Sequence, residues 1–306
     1  MTARSWRLLV DRPKDGATNM AIDEAVLRAQ IVSEAPPTVR FYGWDPPTVS
    51  LGYAQPLDGR IDREACARLG VGLVRRATGG SAILHESPER EVTYSVVARA
   101  EDFPGADDVL ETYRRLGSGL VAGLARLAVR ADLVPLHRSA RSGAPPAFCF
   151  ARSGAFEIAI AGRKLCGSAQ RRQGNAFLQH GSLLLDADPV RLAAVFPGLR
   201  DPLGSVTTVA AVLGRGVGFD EAVGALAAGL AQALGVRLTP GELTAAEADA
   251  ADRLVAEKYG TEAWTVEGRV VSEPGGGLRP FSGPPPRLRQ RSRRSERNTP
   301  GVGGKA

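Results

Sequence analysis

One thiol, one amine and a pair of arginines beside paired glycines are the groups in this 306-residue chain best placed to act on a carbonyl or an anion. The thiol is Cys149, in Ala147-Phe148-Cys149-Phe150, directly after the Pro-containing loop RSARSGAPPA. A thiol at a loop end is accessible, and nearby Lys or Arg would favour its nucleophilic thiolate. A lone cysteine is more commonly a small core hydrophobe, as Cys66 reads in its helix, and residue type alone leaves Cys149 open between the two. The amine is Lys164, in Gly162-Arg163-Lys164-Leu165-Cys166-Gly167-Ser168-Ala169-Gln170-Arg171-Arg172. On a regular strand Lys164, Cys166 and Ser168 share one face, so Lys164 would meet a cavity or ligand beside small residues; the plainer reading is an edge strand with a solvated lysine. Gln179-His180-Gly181-Ser182 on the next strand would line the same cavity. The third segment is Arg75-Arg76-Ala77-Thr78-Gly79-Gly80-Ser81, running on to His85. Its glycines allow positive φ or a close backbone approach, and its arginines and Ser81 could clamp a carbonyl or an anion; the plainer reading is a hairpin.

Other chemistries lack their residues. No G-K-[ST] follows the paired glycines, and Gly117-Ser118-Gly119 with Gly123 lies inside a helix with the wrong spacing for a phosphate loop. No G-x-S-x-G elbow is present. His85, His137 and His180 lack ligand spacing and no C-x-x-C pair exists, so no metal site is expected.

These segments need elements to hold them. TNMAIDEAVLRAQ (18–30) predicts a helix capped by Thr18 or Asn19, with Ile22, Ala25, Val26 and Ala29 as its apolar stripe and Asp23 and Glu24 near its positive end. Strands are predicted at 38–44 and 48–54, paired with each other, and at 71–76, up to Leu84, 91–98, 156–160, 164–172 and 176–185. Helices fit 61–69, 107–128, 188–195, 219–234 and 244–258. Consecutive hairpins with helices between groups predict an α+β domain with a mostly antiparallel sheet.

Lys plus Arg number 39 against 33 Asp plus Glu, a formal charge of +6. From Ser272 to Ala306 eight basic residues (Arg279, Arg287, Arg289, Arg291, Arg293, Arg294, Arg297, Lys305) face only Glu273 and Glu296, so the first 271 residues are neutral. The Pro/Gly/Arg-rich tail 272–306 has almost no large apolar residues and is expected to be disordered; residues 1–271 are expected to form one domain. A neutral body makes nucleic acid an unlooked-for partner. No run approaches 18 apolar residues, the first residues are not a secretory signal, and three cysteines suit a reducing cytoplasm.

Taken together, RRATGGSAILH, the early NMAIDEA and GRKLCGSAQRRQGNAFLQHGSLLL resemble three motifs of the biotin/lipoate ligase and transferase family, in order, from about residue 5 to 260. The resemblance implies a class II biotin-synthetase-like α+β fold and the handling of octanoyl or lipoyl groups. Where ATP-using ligases carry Gly-Arg-Asn-Asp, this chain has Ala151-Arg152-Ser153-Gly154-Ala155-Phe156-Glu157-Ile158 with Cys149 ahead of it. That arrangement resembles the cysteine-dependent octanoyltransferases of the lipoate-ligase-like branch, and only a short helical segment and the tail stand where ligases commonly have an accessory domain. The other octanoyltransferase lineage, with a later cysteine and a different glycine motif, fits less well. The resemblance implies that Cys149 takes octanoyl from acyl carrier protein and passes it to a lysine of a lipoyl domain such as the glycine-cleavage H protein. It implies Lys164 as the charge-stabilising lysine, and Arg75, Arg76, Thr78, Gly79, Gly80, His85, Gly167, Ser168, Ala169, His180 and Gly181 around the acyl group. No cofactor is expected, and the resemblance suits a monomer. The rivals are an amidotransferase using octanoyl-H protein, an ATP-dependent ligase, and a non-catalytic binding module with a nucleic-acid-binding tail.

Overall fold

The computed structural model describes residues 4–32, 35–103, 108–134 and 156–270, all within the compact unit Met1–Val271. Cys149 and His137 lie outside the described residues. The strands are β1 (Arg4–Val10), β2 (Thr38–Tyr42), β3 (Thr48–Leu51), β4 (Gly72–Arg75), β5 (Ile83–His85), β6 (Glu91–Arg99), β7 (Asp132–Val134), β8 (Glu157–Ile160), β9 (Arg163–Gln173), β10 (Ala176–Leu184) and β11 (Val236–Pro240). The helices are α1 (Gly16–Ile31), α2 (Arg63–Arg68), α3 (Val109–Arg126), α4 (Pro189–Val195), α5 (Val209–Leu213), α6 (Phe219–Leu234), α7 (Ala245–Leu254) and α8 (Glu262–Glu267). An eight-stranded sheet runs β11-β1-β2-β6-β10-β9-β8-β7, and a three-stranded sheet runs β4-β3-β5. Only β11-β1, β1-β2 and β3-β4 are parallel, so the α+β, mostly antiparallel expectation is borne out.

Period-two alternation sorts the large sheet between two cores. Val39 and Phe41 of β2 and Val92, Tyr94, Val96 and Ala98 of β6 pack with α3 and α6. Tyr42 and Val97, Ala176 and Leu178 pack with α1 and α7 on the other face. The small sheet closes a third core with α2 and α4, through Val49, Leu51, Cys66, Leu192 and Phe196. The glycines that interrupt α3 have a packing cause: a Cβ on Gly123 would stand 2.7 Å from the Leu226 Cα, so the absent side chain lets α3 and α6 cross closely.

Three local expectations are corrected. Asp15, not Thr18 or Asn19, caps α1: its carboxylate accepts from the Thr18 N–H at 2.9 Å. Residues 38–44 and 48–54 are not a strand pair. Pro46 and Pro47 offer no N–H groups to continue the ladder, and β3 leaves the large sheet to pair with β4 and β5. Lys164 does not share a face with Cys166. Ile158 pairs with Cys166 and Ala159 with Lys164, so Leu165 is the extra residue of a bulge that turns Lys164 to the face of Gly167 and Ala169. The predicted strand over 164–172 could not reveal a one-residue irregularity.

Candidate active site

Between the large sheet, α1 and the small sheet lies a cavity with about 430 Å³ of empty space, part of it open to solvent. Eight predicted residues line it: Arg76, Gly80 and His85 from the small-sheet side, Gly167, Ser168 and Ala169 from β9, His180 and Gly181 from β10. Met20, Tyr42, Trp44 and Ile83 add apolar wall, which suits an alkyl chain. The 76–81 loop is held tightly against the chain after β3. A Cβ on Gly52 would fall 1.8 Å from the Gly80 carbonyl oxygen, and Gly80 itself has φ +95°, where a side chain is strained.

Arg76 shapes that loop from inside. Its guanidinium donates to the Gly79 and Ser81 carbonyls at 2.7 and 2.9 Å and to the Ser50 carbonyl at 2.9 Å. It also donates to two hydroxyls, Thr78 Oγ1 at 3.1 Å and Ser50 Oγ at 3.2 Å. Each hydroxyl leads to a histidine. Thr78 Oγ1 is 2.7 Å from His180 Nε2, and His180 Nδ1 is 3.1 Å from Asp23 Oδ2. Ser50 Oγ is 2.8 Å from His85 Nε2, and His85 Nδ1 is 2.7 Å from Glu91 Oε1.

The partners assign the protons. Burial opposes the charge on Asp23, but the His180 hydrogen bond and the Arg40 guanidinium outweigh it and hold its carboxyl below the usual range. The Asp23 carboxylate accepts from Arg40 Nη1 at 2.8 Å, from the Tyr42 hydroxyl at 3.0 Å and from the Ser95 hydroxyl at 2.9 Å. An ionised Asp23 only accepts, so His180 carries its proton on Nδ1 and its Nε2 lone pair accepts from Thr78. The same logic puts the His85 proton toward Glu91. Burial pushes the His85 imidazole below its usual range despite Glu91, and the ring stacks on Trp44 at 3.9 Å between centroids.

Lys164 and Glu157, 4 % and 8 % exposed, form a buried ion pair. Lys164 does not line the cavity: its backbone bridges to the 205–207 segment, N–H to Ser205 O and carbonyl to Thr207 N–H, each at 2.9 Å. Cys166, the rival thiol, is buried among the α3–α6 core, and burial pushes it up to about 12. Tyr94 accompanies it on that face and meets Ser168 Oγ at 2.7 Å.

Arg75 is not brought to the cavity. Its guanidinium donates to the carbonyls of Gly52, Tyr53, Gln55, Trp264, Thr265 and Val266, and Trp264 Nε1 returns a bond to the Arg75 carbonyl at 2.8 Å. It fastens α8 to β4. Sequence reasoning missed Asp23, Glu91 and Glu157. The signal for Asp23 and Glu24 was available, since both stand amid the run Met20-Ala21-Ile22 and Ala25-Val26-Leu27, and both prove buried at 1 % and 4 % exposure. Among the described residues no cluster of three or more His, Cys, Asp or Glu is arranged to hold a metal.

The lipoyl protein ligase A/B catalytic domain family matches residues 15–231 of the chain. An octanoyltransferase LipM from Symbiobacterium thermophilum is 46% identical over 277 residues, covering 86% of this chain and 98% of that protein. Another, from Kyrpidia tusciae, is 46% identical over 274 residues, covering 85% and 98%. Among solved structures, a lipoate-protein ligase A bound with ATP superposes with a TM-score of 0.71 at 27% identity, covering 86% of this chain and 98% of that one. A bi-partite lipoate protein ligase from Thermoplasma acidophilum does so with a TM-score of 0.71 at 26% identity, covering 86% and 96%.

Proposed function

The chain belongs to the lipoyl protein ligase A/B catalytic family, and from that membership we propose that it transfers octanoyl from acyl carrier protein to a lipoyl-domain lysine through a thioester on Cys149. That it is an octanoyltransferase of protein lipoylation, acting on lipoyl-domain proteins, rests on relatives of that activity matched over 98% of their length. This is the observation that carries the reading. The higher identity to octanoyltransferases, 46% against 27% for the ATP-bound ligase, favours transfer over adenylation. No described helix is long and apolar enough to cross a membrane, which agrees with an enzyme working in the cytoplasm.

The chemistry divides into two acyl transfers. The Cys149 thiolate attacks the carrier thioester, the carbon–sulfur bond to the carrier breaks, and the carrier thiol departs. The acceptor lysine then attacks the new thioester, forming the amide and freeing Cys149. Lys164 stabilises the oxyanion in both steps. Its Nζ donates to the Glu157 carboxylate, which holds the amine in place as a hydrogen-bond donor. The alkyl chain lies in the cavity against Met20, Trp44 and Ile83, and Gly80 borders its carbonyl end.

Incubation with octanoyl-acyl carrier protein, without ATP, is expected to add one octanoyl group to the intact mass of the wild type. Cys149→Ala is expected to show no such adduct. An adduct that persists in Cys149→Ala, or forms only with ATP and free octanoate, sinks the assignment.

A further inference from the structure

We propose that His180, backed by Asp23, takes the proton that the acceptor lysine must lose before it attacks, and takes it through the Thr78 hydroxyl. This rests on the two-step reading above. It answers a problem that reading leaves: an acceptor lysine arrives as an ammonium, with an ordinary pKa of about 10.4, and needs a base. Lys164 Nζ already donates to the Glu157 carboxylate. His180 is a different kind of group. It lines the cavity, its Nδ1 proton is pinned to Asp23, and its Nε2 lone pair receives only a neutral hydroxyl, Thr78 at 2.7 Å. That hydroxyl sits in the loop whose Gly80 borders the cavity, and its oxygen already accepts from Arg76 at 3.1 Å, so its proton is directed to the imidazole.

His180 also lies on the correct side of the sheet. It pairs in register with Ala169, on the face to which the Leu165 bulge turns Lys164. Asp23 is the positioning residue: it fixes the ring's tautomer and offsets the imidazolium that forms. Arg40, Tyr42 and Ser95 hold its carboxylate in place. His85 has the same wiring through Ser50 and Glu91, but it is stacked flat on Trp44 and burial presses it toward its neutral form.

The protons balance as follows. One passes from the ammonium to Thr78 Oγ1 while the Thr78 proton moves to His180 Nε2. The freed amine attacks the thioester carbon, the carbon–nitrogen bond forms, and the carbon–sulfur bond breaks with its electron pair left on Cys149. The second nitrogen proton goes to that thiolate, and His180 returns its proton to solvent.

The test separates lysine from an amine that needs no base. Enzyme acylated from octanoyl-acyl carrier protein is mixed with a lipoyl domain or with hydroxylamine, which is already neutral at pH 7, and discharge is followed by intact mass. Discharge of His180→Gln and Thr78→Val is read only on the fraction already acylated, and their discharge to hydroxylamine is expected to fall far less than their discharge to the lipoyl domain. Their discharge to the lipoyl domain is expected to fall by on the order of 10²-fold, the lower range for a lost general base. Asp23→Asn is expected to show the same split. Equal losses with both acceptors, or lysine transfer at the wild-type rate, overturn the relay. Absence of an acyl-enzyme in the wild type overturns instead the thioester reading on which it rests.

Discussion

At the scale of single residues, the two thiols on either side of β8 have opposite prospects. Cys166 sits in the α3–α6 core on the face away from Lys164, and burial pushes its thiol up to about 12, five units above neutral pH. Almost none of it is thiolate under working conditions, and nucleophilic attack is closed to it. Cys166→Ala is therefore expected to retain octanoyl transfer within about threefold and to lose about 1 kcal/mol of stability, the scale of one small core group. Iodoacetamide at pH 8, read by intact mass, is expected to label the native protein at Cys149 and leave Cys166 unmodified until denaturant is added. Native alkylation of Cys166, or loss of transfer in Cys166→Ala, would contradict the burial argument. Arg76 shows a second residue-scale lesson. It was expected to touch substrate, and it does line the cavity, but five of its donor contacts shape the loop and orient two hydroxyls.

At the scale of elements, what holds the site in place comes largely from parts of the chain with weak local signals. The hairpin β9–β10, the helix α1 and the glycine loop were legible because alternation, helix-forming runs and turn residues are local properties. β1 and β11 were not. Both are largely parallel-paired, and β11 is half exposed and ends on a proline, so neither shows clean alternation. The pairing of the acidic residues was illegible for a related reason: nothing near Asp23 in sequence announces His180, 157 residues away. The bidentate pair between Arg7 of β1 and Glu247 of α7, 2.6 Å on both sides, is of this long-range kind. Burial raises the Glu247 carboxyl, but the Arg7 hydrogen bonds and the Thr244 N–H more than reverse it, so its folded pKa lies below the ordinary 4.5. A depressed carboxylate contributes stability that is complete above its unfolded pKa and is lost as pH falls through the folded one. Glu247→Gln is expected to cost about 3 kcal/mol at pH 7, the lower end for breaking a buried pair. The gap to wild type should narrow steadily between pH 5 and pH 3. Urea titrations across that range would show it, and a gap independent of pH would mean the pair is not charged in the folded state.

At the scale of the whole molecule, the formal charge of +6 resides in residues 272–306, and the rest of the chain is neutral. Near the cavity Lys164 is offset by Glu157, whereas the bonds of Arg75, Arg76, Arg171 and Arg172 to carbonyls, an amide oxygen and hydroxyls leave their charges in place. Residues 272–306 add a further six positive charges to a chain that is otherwise neutral in sum, and an acidic carrier protein would feel that excess on approach. Charges of that kind act on encounter, through a field that ions screen within about 10 Å at 0.1 M salt, and they leave the barrier of a buried chemical step alone. Removing residues 272–306 is expected to keep kcat within about twofold, because the cavity, the Lys164–Glu157 pair and the His180 chain all lie before them. At about 10 mM salt, kcat/KM for octanoyl-acyl carrier protein should fall by roughly tenfold, within the range electrostatic steering supplies. At about 0.5 M salt the full chain and the shortened one should coincide, since screening then does to both what truncation does to one. Transfer from a small, uncharged octanoyl thioester should be equal in the two at every salt concentration. A fall in kcat, or a kcat/KM deficit that persists at high salt or with the small donor, would show that these residues take part in the chemical step.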